Sequence, residues 1–534
     1  MNQTIQILVL LLIVISAVAF VSTKLKVPPS ILLVITGVGL ALIPSLPTIE
    51  LEPELVLLMV LPPIIYSSAV AMSWRDFRFN LRPIILLSVG CVVFTTITVA
   101  AAAHWLLGMP WQIGFVLGAI VSPPDAVAPL SVARRLKLPK RSLVVLDGVG
   151  LANDATALIM YRFAVAAIST GTFSYSQALG TFGAIVVGEI VWGVGVGWLM
   201  LRLRRWVRDP RIEITLSIIT PFIAYWPPEY LGGSGVLATV VTGLYISWNG
   251  LRLISAETRL QGIFFWDFFM YLIEGMVFLI TGLQARTLVE RIAHSQLQEL
   301  LISAAVVCAV VIVARFVWIF PATYLPRWLI PAVRRKDPSP PWQAPFVLSF
   351  TGVRGIVSLA AALAIPFTTS AGEPFPGRDL ILFLTFSVIL VTLVGQGLLL
   401  SPVIRLLGLS NAGARERHAD RVEEQEARRI AVRAVIERLD EIQKERGLTK
   451  DDIKPLHIRH HDRLKHVVHQ SDGDDAHRKI TEMHDEIELL LIGAERDEIN
   501  KLFRDGKLNA EARRRIEREL DLREADLANQ TADE

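Results

Sequence analysis

The sequence predicts an all-α polytopic membrane protein with about thirteen transmembrane helices, followed by a helical tail. Hydrophobic residues make up 52% of the 534 residues, and the mean hydropathy is +0.49. A water-soluble protein of this size could not hide so much apolar surface in one core. Charged residues are sparse before residue 408 and dense from residue 411 onward. We therefore expect a transmembrane domain over 1–408 and a cytoplasmic, helical regulatory region over 409–534.

Each predicted span is an apolar stretch of about 20 residues, the length that crosses a bilayer. The first span is interpreted as a retained helix rather than a cleaved signal peptide, because no basic stretch precedes it. The predicted spans are 5–22, 27–44, 53–71, 83–106, 110–133, 142–169, 179–203, 213–229, 234–249, 262–284, 298–324, 343–367 and 379–407.

Basic residues fall in every second loop between these spans, with Arg286 and Arg291 as the exceptions. The positive-inside rule makes the basic loops cytoplasmic, so we expect the N-terminus outside and the C-terminus inside an inner membrane. This topology explains the basic residues, and a net charge of +3 is too small to indicate nucleic-acid binding. The basic loops contain Lys24 and Lys26, Arg75 to Arg82, Arg134 to Arg141, Arg202 to Arg211, Arg252 to Arg259, and Arg327 to Lys336.

Two spans are interrupted by proline or glycine at membrane depth. The fifth reads VSPPDAVAP over 121–129, and the twelfth reads SFTGVRGI over 349–356. Lipid tolerates such breaks only where the freed backbone groups line a cavity or face other protein. Interrupted helices in corresponding positions of two halves are typical of inverted-repeat transporters with a binding site at the membrane midplane. We expect that architecture, with two broken helices that cross.

Asp154 is the leading candidate for chemistry, in the middle of the sixth span. An ionisable residue at the bilayer centre costs about 2.5–3.5 kcal/mol, so its presence requires a reason. A carboxylate there can be neutralised by a proton or by a monovalent cation, and the two then compete for one negative charge. Such competition amounts to exchange. The structural alternative is a carboxylate that is only hydrogen-bonded within the helix bundle.

Three further ionisable residues lie at similar depth. Asp125 can compensate the N-terminal dipole of the half-helix that follows it, or ligate the ion directly. Arg354 cannot lose its proton, so it must compensate half-helix carbonyls or pair with an acid. Glu274 can line the ion path or be a carboxylate satisfied within the bundle.

With these residues in place, the chain resembles the monovalent cation:proton antiporter family, which contains the NhaP-type bacterial proteins and the animal sodium/proton exchangers. The resemblance covers residues 5–408. It is carried by the order and spacing of four motifs, namely LPPIIY over 61–66, PDAVA over 124–128, Asn153-Asp154, and GVRG over 352–355.

The resemblance implies electroneutral exchange, with Asp154 as the ion and proton carrier and Asn153 ordering the site. It also implies a homodimer. Spans one to three and eight to ten would form a scaffold, and spans four to six and eleven to thirteen would form a core that moves like an elevator.

The chain departs from the family pattern at three positions. Where the family has Gly-Glu-Ser-Leu before Asn-Asp, this chain has Gly-Val-Gly-Leu over 148–151. Val149 replaces the Glu that would pair with Arg354, and Gly150 replaces a Ser that would offer an oxygen. The third departure is Pro124, which replaces a Thr and leaves Ser122 and backbone carbonyls as the nearby oxygens. Fewer oxygens weaken the case for tight sodium binding.

These residues together predict a secondary transporter that exports Na+ in exchange for H+ in pH and salt homeostasis, with no ATP, cofactor or resident metal. Li+ or K+ are the alternative cations. A channel would show an open polar pore instead. A membrane sensor that acts through the tail is a further alternative. An integral-membrane enzyme is not expected, because the spans contain no catalytic constellation.

The tail adds one pattern with chemistry, five histidines within a short stretch after a predicted amphipathic helix over 421–446. Protonation near neutral pH would make them a pH sensor. A metal pair and a solvated helix with incidental histidines are the alternatives. The five are His457, His460, His461, His466 and His469.

Overall fold

The computed structural model is helical, and it divides into two compact units, Met1–Ala414 and Arg415–Glu534. No β-strand occurs in the described part of the chain, where Thr368 and Pro374 form only an isolated bridge. The described residues are 2–43, 53–170, 175–207, 209–250, 253–292, 297–369, 373–447, 449–471, 475–505, 507–508 and 510–532.

The helices of the first unit follow the predicted spans closely. Local signals set several of their starts: α10 begins after Asp209, whose carboxylate accepts a hydrogen bond from the Arg211 amide, and has proline at its first position. The helices are α1 (Asn2–Leu25), α2 (Pro29–Ala41), α3 (Val56–Ala71), α4 (Trp74–Phe79), α5 (Leu81–Leu107), α6 (Trp111–Val121), α7 (Val127–Arg135), α8 (Lys140–Thr170), α9 (Tyr175–Arg204), α10 (Pro210–Tyr230), α11 (Val236–Gly250), α12 (Ala256–Ile292), α13 (Leu297–Leu329), α14 (Pro331–Lys336), α15 (Gln343–Phe350), α16 (Ile356–Leu363) and α17 (Arg378–Leu406).

Each of the predicted spans contains helix, and the fifth and twelfth are interrupted where the sequence predicts. Each break separates two shorter helices, α6 from α7 and α15 from α16. Seven helices in the described part of the chain are long and apolar enough to cross a membrane by length and composition. The number of crossings and the inverted repeat stay predictions.

Two groups of helices pack mainly among themselves. In the first, α2 packs on α12, and α11 packs on both α3 and α9. Helices α2 and α12 approach closely at Gly37 and Gly282, where a Cβ on either residue would overlap the backbone of the other helix. In the second group, α6 packs on α5 and α8, α13 packs on α5 and α15, and α16 packs on α17. The packing is consistent with the expected division into scaffold and core spans, which stays a prediction, and α9 joins the first group.

The apolar core holds the two interrupted spans against α8 and α17. Its largest cluster of buried side chains includes Leu117 of α6, Leu158 of α8, Leu359 of α16 and Ile381 of α17. Burying a side chain of this size contributes about 1.5–3 kcal/mol. The breaks in the two spans are therefore fixed in position by dense packing on both sides of them.

The second unit is built from long charged helices. Arg496 of α20 pairs with Asp521 and Glu524 of α21 at 2.8 and 2.7 Å. The remaining helices, in chain order after α17, are α18 (Leu409–Arg446), α19 (Lys450–Ser471), α20 (Asp475–Arg504) and α21 (Ala510–Ala532).

The histidines of the tail lie on α19. His457 Nε2 is 3.1 Å from Asp440 Oδ1 on α18, and the side chains of His466 and His469 lie outside the described residues. No group of three or more possible metal ligands is present in the described part of the chain. The alternative of a histidine metal pair stays a prediction. The pH-sensor role of these histidines stays a prediction.

Candidate ion-translocation site

The two broken spans meet at their interruptions. The amide of Asp125, between α6 and α7, donates a hydrogen bond of 2.7 Å to the carbonyl of Val353, between α15 and α16. Four helix ends therefore converge on one point. Two are C-terminal ends with free carbonyls, and two are N-terminal ends with free amides.

Arg354 donates hydrogen bonds to carbonyls at the two C-terminal helix ends. Its side chain is fully buried, and it donates from Nε to the carbonyl of Val121 at 2.6 Å and from Nη1 to the carbonyl of Gly352 at 2.9 Å. Its amide donates to Thr392 Oγ1 at 2.9 Å, in a π-helical turn of α17. No carboxylate pairs with Arg354 among the described residues. The guanidinium thus has the contacts expected of a charge that compensates helix C-termini.

Asp125 lies next to the two N-terminal helix ends. Its Oδ1 accepts a 2.9 Å hydrogen bond from the amide of Val127, the first residue of α7. The other carboxylate oxygen lies against Gly355, immediately before α16, and a Cβ on that glycine would overlap it. Asp125 and Arg354 thus place opposite charges at opposite ends of the same pair of broken helices.

Asn153 and Asp154 reach this crossing from α8. Asn153 is fully buried, and its Nδ2 donates to the carbonyl of Pro124 at 2.5 Å. Its Oδ1 is buried without a hydrogen-bond donor in the described part of the chain. Asp154 has neither a hydrogen bond nor a salt bridge with any described residue. The side chain instead faces a cavity beside the crossing.

The cavity has a volume of about 70 Å³, room for several waters or a cation with part of its hydration shell. Asp125, Asp147 and Asp154 line it, together with Ser68 and Ser358. The hydroxyl of Ser358 is buried without a hydrogen-bond partner among the described residues. Carboxylate and hydroxyl oxygens are therefore available to a cation at this place.

Two residues proposed from the sequence lie away from the cavity lining. Ser122 is buried and donates its hydroxyl to the carbonyl of Ala119 at 3.1 Å, within its own helix. Glu274 is partly buried in α12 and is not among the lining residues. Asp125 and Asp154 line the cavity and Asn153 bonds to the Pro124 carbonyl at the break, whereas Ser122 and Glu274 do neither.

The departures from the family pattern have physical reasons. Gly150 packs so closely against Ala126 that any Cβ would overlap the alanine methyl, which leaves no room for a serine. Val149 belongs to an apolar cluster with Val145 and Ile319. Asp147 does not replace the missing acid, because it lies 3.6 Å from Arg134 instead of pairing with Arg354.

Beyond Asp154, α8 is tied to α10. Arg162, two turns further along α8, pairs with Glu229 and donates to the carbonyl of Gly233 in the loop after α10. The cavity extends the other way, towards Asp147 on α8 and Ser68 near the end of α3. On the predicted topology the cavity lies on the cytoplasmic side and the ion pair on the external side.

Several buried polar residues were not singled out from the sequence. Glu189 accepts hydrogen bonds from four backbone amides at the start of α11, including those of Ser234 and Ala238. Arg315 donates from Nε and Nη2 to the carbonyl of Leu348 at the end of α15. Both residues lie inside apolar spans. The argument that singled out Asp154, that an ionisable residue at membrane depth is costly and requires a reason, therefore also applies to them.

Known proteins resemble this chain in both sequence and fold. A profile of the family described as "Sodium/hydrogen exchanger, transmembrane" matches residues 8–406. An uncharacterized Na+/H+ exchanger of Mycobacterium tuberculosis is 34% identical over 512 residues, which cover 94% of this chain and 92% of that protein. A sodium, potassium, lithium and rubidium/H+ antiporter of Bacillus pumilus is 33% identical over 387 residues, covering 70% of this chain and 57% of that protein.

The Na+/H+ antiporter ApNhaP of Aphanothece halophytica is 30% identical over 421 residues, covering 78% of this chain and 76% of that protein. Among solved structures, the sodium proton antiporter MjNhaP1 of Methanocaldococcus jannaschii at pH 8 superimposes with a TM-score of 0.61. That match has 18% sequence identity and covers 76% of this chain and 99% of the other, so it shows the fold.

The helical fold and these relatives define a membrane-embedded secondary transporter. The chain belongs to the sodium/hydrogen exchanger family. It is therefore a multi-pass membrane protein of a cation/proton antiporter family, and it is not an enzyme.

Proposed function

We propose that this protein exchanges Na+ for H+ across the inner membrane, with Asp154 as the group that carries either ion. The observation that carries the proposal is the environment of Asp154. Its carboxylate is half-buried and faces a cavity with no hydrogen bond or salt bridge to a described residue, while its neighbours Asp125 and Asn153 are both engaged by backbone groups. A lone carboxylate needs a positive partner in such a place, and a proton or a cation can provide it.

We further propose that the exchange is electroneutral. Asn153, next to the carrier, is uncharged, so the site holds one negative charge on α8 at this level. Asp125 is committed to the half-helix N-termini by its bond to Val127 and its contact with Gly355. One proton then replaces one monovalent cation per cycle, and the membrane potential does no work on the exchange.

Movement of the core helices against the scaffold helices is the proposed route to alternating access. The two packing groups support this division. The remaining parts of the proposal are the orientation with the N-terminus outside and the C-terminus inside, assembly as a homodimer, and a regulatory role of the cytoplasmic tail over 409–534.

K+ and Li+ are alternative substrates. The Bacillus pumilus relative is named for sodium, potassium, lithium and rubidium. The cavity also lacks one oxygen that the family pattern supplies, because Gly150 stands where a serine would be. Fewer strong ligands discriminate less between cations, so the assay must compare all three.

The test is proton flux in proteoliposomes that contain a pH-sensitive dye. Wild-type protein and Asp154→Asn are each given Na+, Li+, K+ or choline, at zero potential and at an imposed inside-negative potential. We expect flux with at least one alkali cation, the same rate at both potentials, and a loss of at least about 100-fold in Asp154→Asn, as for removal of the group that binds the ion.

Asp76→Asn is the matched control, because it removes a carboxylate that lies outside the cavity and 3.9 Å from Lys140. It should transport like the wild type. Flux that survives in Asp154→Asn would refute the assignment of Asp154. Absence of flux with every cation would refute antiport and would favour the alternative of a membrane sensor that acts through its tail.

A further inference from the structure

Three arginines surround one aspartate at the end of the core helices that is predicted to be cytoplasmic. Asp337, in the loop before α15, accepts from Arg82 of α5 and Arg141 of α8, both at 2.5 Å, and from Arg327 of α13 at 2.8 Å. Arg327 also donates to the Asp337 carbonyl at 3.2 Å. The cluster joins three core helices to one loop.

The charges of this cluster do not balance. An arginine side chain does not lose its proton in proteins, so the three guanidiniums carry three positive charges against one carboxylate. The sum is three minus one, a net charge of +2. No second carboxylate pairs with these arginines in the described part of the chain. Arg327 is only 5% exposed, so this positive charge is partly withdrawn from water.

A cavity of about 60 Å³ lies directly beside the three arginines. Its lining combines the three guanidinium side chains with Ser142 and Thr323, and the rest of the wall is apolar or proline. No residue lines both this cavity and the one at Asp154. A concave site with several fixed N–H donors and an excess of positive charge is suited to a compact anion with multiple oxygens.

Two exposed tryptophans indicate the depth of the cavity in the membrane. Trp328, next to Arg327 on α13, is 79% exposed, and Trp342, just before α15, is 53% exposed. Tryptophan is enriched at the level of the lipid headgroups. The cytoplasmic leaflet is the one rich in anionic lipid, and basic pockets between transmembrane helices on that side suit such headgroups.

We propose that this cavity is a binding site for a phosphate-bearing anion, either the headgroup of an anionic phospholipid of the cytoplasmic leaflet or free phosphate. The phosphate oxygens accept from Arg82 and Arg141, which are 33% and 37% exposed and so retain donors beyond those used by Asp337. Bound there, the anion neutralises the excess charge and holds the ends of α5, α8 and α13 together. The site goes beyond the proposed antiport and does not depend on it.

The competing interpretation is a closed structural clamp, in which Asp337 satisfies all three arginines. The two interpretations differ in what happens without Asp337. A clamp that loses its only acid is destabilised whatever lipid is present. An anion site that loses Asp337 becomes more positive, and an added anion then restores much of the lost stability.

The experiment is thermal unfolding of the full-length protein in a neutral detergent. Phosphatidylglycerol, the net-neutral phosphatidylcholine or inorganic phosphate is added, and the midpoint is followed. We expect phosphatidylglycerol to raise the midpoint by more than about 2 °C above the effect of phosphatidylcholine, since a ligand bound only by the folded state stabilises it. An equal response to inorganic phosphate would identify free phosphate as a ligand of the same site. A response to neither anion would overturn the proposal.

Three variants link the response to the cavity. Arg141→Gln should weaken the apparent affinity for the anion by roughly tenfold, as expected for loss of a charge-assisted hydrogen bond. Arg82→Gln serves in its place if Arg141→Gln does not fold. Asp337→Asn should respond to phosphatidylglycerol at least as strongly as the wild type.

Arg335→Gln is the control, because it removes the same charge from an exposed position in α14, the short helix just before Asp337. It should respond like the wild type. An equal loss of response in Arg335→Gln and Arg141→Gln would show general surface attraction and would overturn the site, as would an Asp337→Asn protein that no anion stabilises.

Discussion

Gly355 lies directly against the carboxylate of Asp125, with no room for a Cβ between them. The contact joins the interruption of one broken span to the start of the second half of the other. It places one carboxylate next to the N-terminal ends of both α7 and α16, with a hydrogen bond from the Val127 amide of α7. At the two C-terminal ends, the positively charged side chain of Arg354 donates hydrogen bonds to the carbonyls of Val121 and Gly352.

Gly355→Ala should disrupt this arrangement. The added methyl must displace the Asp125 carboxylate, and overpacking of this kind costs about 1–3 kcal/mol. We expect a lower unfolding midpoint and loss of most cation-driven proton flux. Gly395→Ala is the control, since a Cβ there meets nothing within 4 Å. If both variants transport normally, the close contact is not required.

Arg354→Lys keeps the positive charge but removes the planar guanidinium that directs two N–H donors at different carbonyls. One ammonium cannot reproduce the donors that Nε and Nη1 direct at two separate carbonyls. The free energy of unfolding should fall by about 2–3 kcal/mol, the scale of a hydrogen bond to a charged group. Thermal unfolding in detergent measures this loss.

Arg405→Lys, at an exposed position near the end of α17, is the comparison and should be nearly neutral. Equal midpoints for the two lysine variants would argue that charge alone, and not the directed hydrogen bonds, matters at position 354.

The Arg162–Glu229 pair should stabilise the state in which the outer side is closed. Glu229→Gln removes one charge of a pair that links α8 to α10. The population should then shift towards the outward-open state, and the external cation concentration for half-maximal flux should fall by about threefold to tenfold. The measurement is the cation dependence of proton flux from the outside.

The double variant Arg162→Glu with Glu229→Arg restores opposite charges in exchanged positions. Its half-maximal concentration should return towards that of the wild type. A double variant no closer to wild type than Glu229→Gln alone would show that this pair does not control access.

The stability of the cluster of Arg82, Arg141 and Arg327 around Asp337 should depend on pH. Burial by itself would raise the pKa of Asp337, but the hydrogen bonds and charges of Arg141 and Arg327 outweigh burial and lower it below 3.8. A carboxylate with a lowered pKa in the folded state stabilises the protein above its unfolded-state pKa, and this stability is lost as pH falls through the folded-state value.

The difference in unfolding midpoint between the wild type and Asp337→Asn should therefore be constant from pH 5 to pH 8. It should shrink only in acid, below about pH 4. Thermal unfolding across this pH range checks the prediction. A difference that vanishes already near pH 6 would mean that Asp337 is not held in its charged form by the arginines.

Much of the fold could be read from apolar runs and breakers. The proline pair before Asp125 and the glycines on both sides of Arg354 predict the two interruptions, and the helices end and restart at those places. These signals are local, because a proline or a charge at membrane depth constrains its own span whatever its neighbours are.

The sequence was less informative about which oxygens face the ion. Ser122 is close to Asp125 in the chain, yet its hydroxyl bonds to Ala119 within its own helix. Ser358, from a different span, lines the cavity instead. Nearness along the chain does not determine the direction of a side chain, and hydroxyls in helices readily bond to the preceding turn.

The sequence by itself determined that the protein is a bundle of membrane helices with two broken spans, and that Asp125, Asp154 and Arg354 lie within apolar spans. The lipid bilayer imposes these features on each span separately, because lipid cannot hydrogen-bond the freed backbone groups at a break or solvate an isolated charge. Only the tertiary structure decided where each charge lies: Arg354 donates to the carbonyls of Val121 and Gly352, Asp125 accepts from the Val127 amide and lies against Gly355, and Asp154 faces the cavity. That division depends on contacts between spans far apart in the chain, which local patterns do not contain.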